Sequence, residues 1–94
     1  MHVGVIHRIS DPAAFQQAEE EALAGGLPDG FRLPVHAETP DHTTALCVWD
    51  GPSVDAVRDL VESVVGDYSQ NEYFEVELET SSTPAPLPVF CAEG

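Results

Sequence analysis

Lysine is absent from this 94-residue chain, and besides histidine its only cationic side chains are Arg8, Arg32 and Arg58. Against them stand 17 acidic residues, for a formal net charge of −14. Phosphate backbones and anionic lipid headgroups are repelled by such a surface, so neither nucleic acid nor membrane is an expected partner. The missing lysines point further, to adaptation to a salty cytoplasm, where carboxylates hold hydrated cations and salt screens their repulsion. Cysteine is scarce too. Cys47 and Cys91 share no CxxC or metal-ligand spacing, so no disulfide framework is indicated. No apolar run approaches the roughly 20 residues of a membrane span. The start, Met1-His2-Val3-Gly4, lacks the basic-then-apolar layout of a signal peptide. A cytoplasmic protein is expected. Also missing are GxGxxG, P-loop, HExxH and GxSxG patterns, so no cofactor is expected and no catalytic residue can be assigned.

What is present is organised around Thr43-Thr44-Ala45-Leu46-Cys47-Val48-Trp49-Asp50. Its unbroken apolar run predicts a strand buried on both faces, because a half-solvated strand would alternate. His2 to Ile9 is a second central strand, with Val3, Val5, His7 and Ile9 on one face and Gly4 and Ile6 on the other. Asp11-Pro12 starts a helix expected to run to Ala24, with a thin stripe of Phe15, Ala18 and Ala22. Phe31 to Ala37 reads as a strand with Phe31, Leu33, Val35 and Ala37 facing one way, and Arg32, Pro34 and His36 the other. Pro34 cannot donate to a ladder and assigns it to an edge. Ser53 caps a second helix whose Val54, Val57, Leu60, Val61 and Val64 recur at helical spacing, leaving Glu62 on the solvent side. Asp67 to Glu72 is read as a polar loop, and Tyr73 to Glu79 as the last strand.

The order β-α-β-β-α-β is the ferredoxin-like α+β arrangement. Right-handed crossovers place two helices on one face of a four-stranded antiparallel sheet in the order 4-1-3-2. That domain fills residues 1–79, and a proline-rich C-terminal arm follows over residues 80–94. The helices cover one sheet face only. The other is expected to pack on a second copy, giving a homodimer built as a dimeric α+β barrel.

The segments Ala45–Asp50, Ser53–Val61 and Asn71–Val76 resemble a family of small bacterial and archaeal proteins. That family is similar to the dimeric α/β-barrel superfamily, which also holds antibiotic-biosynthesis-type monooxygenases, stress-response barrels and a nickel-binding relative. The resemblance covers most of residues 1–79 and leaves out the arm. It implies the fold and the dimer, and transfers no site residue position by position.

Five residues are candidates to line a ligand pocket: His7, Trp49, Asn71, Tyr73 and Glu75. His7 lies on an apolar stripe, as a hydrogen-bonded core residue or as a pocket group suited to proton transfer. Trp49 serves packing or ligand stacking. Asn71 and Tyr73 sit where a loop enters a strand, with Glu75 on the same face as Tyr73. His36 and His42 flank a hairpin with Glu38 and Asp41 and are the weak metal candidates. His2 and His7 point to opposite faces and cannot share an ion. The leading function is a homodimeric small-molecule binding or sensing module. The alternatives are a cofactor-free monooxygenase or isomerase using His7 or Tyr73, and a divalent-metal (nickel-like) binding protein.

Overall fold

Two strands form the centre of the sheet because both carry an apolar stripe that a helix layer can cover. β1 (His2–Ile9) and β3 (Thr44–Asp50) pair antiparallel, with Val5 opposite Cys47 and Val3 opposite Trp49. The computed structural model describes residues 1–79, so the arm expected over residues 80–94, with Cys91, lies outside the described residues. The remaining elements are α1 (Pro12–Ala24), β2 (Arg32–Glu38), α2 (Val54–Val65) and β4 (Ser69–Val76). The sheet runs β2-β3-β1-β4 with every neighbouring pair antiparallel, as the ferredoxin-like order requires.

Both helices start where a side chain relieves an unpaired amide. Asp11 Oδ1 accepts from the Ala14 N–H at 3.2 Å, and Ser53 Oγ from Ala56 at 3.0 Å. Their apolar faces meet Val3, Val5, Ala45, Cys47 and Trp49, so one face of the sheet and both helices share one core. α2 contributes Val57, Val61 and Val65, whereas α1 buries only Phe15. Among the described residues no helix is long and apolar enough to cross a membrane.

Three local expectations are corrected. Among the described residues β3 is not buried on both faces: Ala45, Cys47 and Trp49 point to the helices, while Leu46 on the other face is 45% exposed. β2 does not keep one apolar face. Its register shifts between Arg32 and Val35, around Pro34, whose missing N–H cannot support a regular ladder. Leu33 therefore packs on the core, while Val35 and Ala37 pair opposite Val48 and Leu46 on the open face, and His36 turns to lie opposite Cys47. β4 begins at Ser69, four residues before the expected Tyr73, and ends at Val76. Its partner decides both ends: Ile9 pairs with Ser69 and His2 with Val76, so Glu77 to Glu79 have no β1 residue to pair with.

Candidate functional site

His7 is 2% exposed on the helix side of β1, with its ring edge-on to Phe15 at 5.2 Å between centroids. A ring buried this way needs a polar partner, and β4 supplies it: His7 Nδ1 lies 2.6 Å from Asn71 Oδ1, the two residues being direct partners across the ladder. The amide's orientation follows from its other end. Asn71 Nδ2 donates to Glu62 Oε2 at 2.8 Å, and a carboxylate can only accept. Asn71 Oδ1 is therefore the atom facing His7, where it also accepts from Ser69 Oγ at 2.7 Å. It follows that His7 carries its proton on Nδ1 and leaves a lone pair on Nε2, which makes no hydrogen bond among the described residues. Burial lowers the His7 pKa, and the Asn71 contact offsets part of that shift.

Glu62 anchors this chain of contacts. It lies on the solvent side of α2, as expected, and there accepts from both Asn71 and the Tyr73 hydroxyl, two bonds that lower its pKa. Tyr73 is held in turn by burial and by that carboxylate, which push its pKa up, and Arg58 lies 5.5 Å over its ring. The hydroxyl is thus committed to Glu62, so His7 and Tyr73 are not assembled as an acid–base pair around one cavity. Glu75 faces the same way as Tyr73, opposite Val3, but is exposed and joins none of these contacts.

Between the helices and the sheet lies a cavity of about 230 Å³. Leu27, Leu33, Leu60 and Val64 make its apolar wall, and His7, Trp49 and Glu19 also line it. Burial raises the pKa of Glu19, the one acid among these lining residues, so this carboxylate is easier to neutralise than an exposed one. Trp49 is 8% exposed, and its Nε1–H is buried without any hydrogen-bond partner among the described residues. The cavity therefore joins His7 and Trp49 of the five candidates. Asn71 acts on it through His7, Tyr73 stands behind Asn71, and Glu75 is apart.

His36 and His42 are joined through one carboxylate. Both bond to Glu38, His36 Nε2 to Oε2 at 2.9 Å and His42 Nδ1 to Oε1 at 2.8 Å, which lowers the Glu38 pKa. Asp41 is turned away to the Thr39 and Thr43 hydroxyls. His42 takes a left-handed backbone (φ 62°) to close the turn.

No protein-family model and no curated protein matches the chain. Among solved structures it is similar to SCO4226 from Streptomyces coelicolor A3(2), with 25% identity, a TM-score of 0.60, and coverage of 85% of this chain and 100% of that one. The likeness bears out the four-stranded ferredoxin-like fold and carries no assignment of family, ligand or assembly.

Proposed function

We propose that the protein is a homodimeric binding module for a small, largely apolar molecule that accepts a hydrogen bond from Trp49. The orphaned indole N–H carries this reading. A buried donor left unpaired costs about 1–3 kcal/mol, and native proteins rarely leave one without a reason. Trp49 is among the residues that line an apolar cavity, and a ligand bearing an acceptor would reach its closed-off N–H by a small turn of the indole. The volume sets the ligand's size. A cavity of about 150 Å³ holds benzene, and drug-sized ligands need about 300–1,000 Å³. A space of about 230 Å³ suits one substituted ring or a branched chain of similar bulk.

The dimer is supported by the sheet face that no element among the described residues covers. Ile6, Val48 and Val76 share it with Leu46, 45% exposed, and Phe74, 41% exposed. A second copy of the same face would bury these side chains, each Å² of apolar surface being worth about 25 cal/mol. An acid–base enzyme is the weaker reading, since the Tyr73 hydroxyl is already engaged by Glu62.

Trp49 is the only tryptophan, so its fluorescence reports on the cavity directly. Titration with cyclohexanone, a single ring bearing one acceptor, is expected to give a saturable change in emission. An emission spectrum that changes only linearly, as for collisional quenching, would remove the cavity as a ligand site.

A further inference from the structure

Beside the cavity, three elements bring metal-ligating atoms of different chemistry together. Glu19 of α1, His36 of β2 and Cys47 of β3 place a carboxylate oxygen, an imidazole nitrogen and a thiol sulfur within 4.8 Å of one another. The register shift in β2 is what makes this possible, because it turns His36 to the helix face directly opposite Cys47. His36 Nδ1 then lies 3.1 Å from Cys47 Sγ. On the far side of the ring Nε2 lies 2.9 Å from Glu38 Oε2 and 3.3 Å from Glu19 Oε1, and Glu38 is itself held by His42 at 2.8 Å.

We propose that Glu19, His36 and Cys47 bind one thiophilic divalent cation of the zinc class, with Glu38 orienting His36 from behind. The donor set selects the ion. Thiolate and imidazole suit zinc and its transition-metal neighbours, whereas magnesium and calcium require oxygen ligands. Ligand atoms around a tetrahedral ion lie about 3–4 Å apart, which small side-chain movements reach from the present spacing. A cation taken by Nδ1 draws the Glu19 carboxylate round from the Nε2 side and leaves Nε2–H donating to Glu38, the carboxylate–histidine arrangement that fixes the tautomer and strengthens the ligand. Three protein ligands leave a fourth position open.

The alternative of a reactive thiol does not fit Cys47. It is 1% exposed, and burial pushes its pKa up to about 12, so without a cation it stays protonated and inert. A bound cation displaces that proton to the solvent as the sulfur–metal bond forms, so affinity rises with pH.

Cobalt tests this on the full, reduced chain, because a thiolate–cobalt bond gives a charge-transfer absorption that carboxylates cannot. One equivalent per chain is expected, displaced by zinc and retained in excess magnesium. Cys47→Ser should abolish the band, and Cys91→Ser should leave it unchanged. Glu38→Gln should weaken binding by about 10–100-fold while keeping the band. Circular dichroism checks that each variant folds; if Cys47→Ser does not, His36→Gln, a change at the rim, must cause a comparable loss of affinity. Absence of the band, its survival in Cys47→Ser, or unchanged affinity in a folded His36→Gln would overturn the proposal. These outcomes are separate from ligand binding in the cavity, which the cyclohexanone titration reads alone.

Discussion

At the scale of single residues, the network Glu62–Asn71–His7 sets the chemistry of the cavity wall. Asn71 stands between a carboxylate and a neutral imidazole, and its amide tells the two apart. Asn71→Ala leaves His7 Nδ1 and Glu62 without it and should cost about 1–3 kcal/mol of stability in denaturant melts. Asn71→Asp instead sets a carboxylate against the ring. The His7 pKa should then rise, and an NMR titration of the ring that shows no rise would refute the contact.

His7 also gives the fold a pH dependence of definite sign. Its native pKa lies below the ordinary 6.5 of the unfolded chain, because burial disfavours the imidazolium. Above 6.5 both states are neutral and stability is at its full value. As pH falls from 6.5 toward the native pKa, the unfolded chain takes the proton first and stability drops. His36, Glu62 and Glu38 also act on this ring. Glu19 acts in the opposite sense at lower pH, since a raised carboxyl pKa is relieved by protonation. The difference between the wild-type and His7→Gln stability curves isolates the His7 part. Parallel curves through this window would show that His7 is not buried neutral.

At the scale of elements, α1 is the weakly held piece. It buries one residue, Phe15, 1% exposed, where α2 buries three valines. Phe15→Ala should cost about 3–5 kcal/mol and raise amide exchange in α1 first. A uniform rise across all elements would mean that α1 is no separate weak point.

Much at this scale was legible in the sequence. Asp11-Pro12 and Ser53 marked the helix starts, and Pro34 marked the edge strand. The start of β4 was hidden because Ser69, Gln70, Asn71 and Glu72 are polar, and only β1 gives them backbone partners. The face of His36 was misread because period-two alternation fails at a register shift. For the same reason the convergence of Glu19 and Cys47 on His36 had no local signal. His7 was legible as an ionisable ring on a dry stripe. Glu62 was not, since its partners come from another element, nine and eleven residues away.

For the whole molecule, charge and the open sheet face govern behaviour. A net charge of −14 on a body of 94 residues repels itself most in dilute buffer. Raising potassium chloride from roughly 0.1 M to several molar shortens the Debye length from about 10 Å to under 3 Å. The melting temperature should climb steeply over that range, and a flat response would contradict salt adaptation. At high salt, light scattering should report twice 10.1 kDa. Phe74→Glu on the open face should give a folded monomer, and a dimer that survives it would place the interface elsewhere.

Whether the buried Trp49 N–H takes up a ligand's acceptor is decided by a cycle of two proteins and two ligands. Calorimetry compares cyclohexanone with methylenecyclohexane, its isosteric hydrocarbon, on the wild type and on Trp49→Phe. The account predicts that the wild type favours the ketone by about 1 kcal/mol, roughly fivefold in Kd, and that Trp49→Phe loses this preference. A preference equal in both proteins, or no binding of either ring to the wild type, would contradict it.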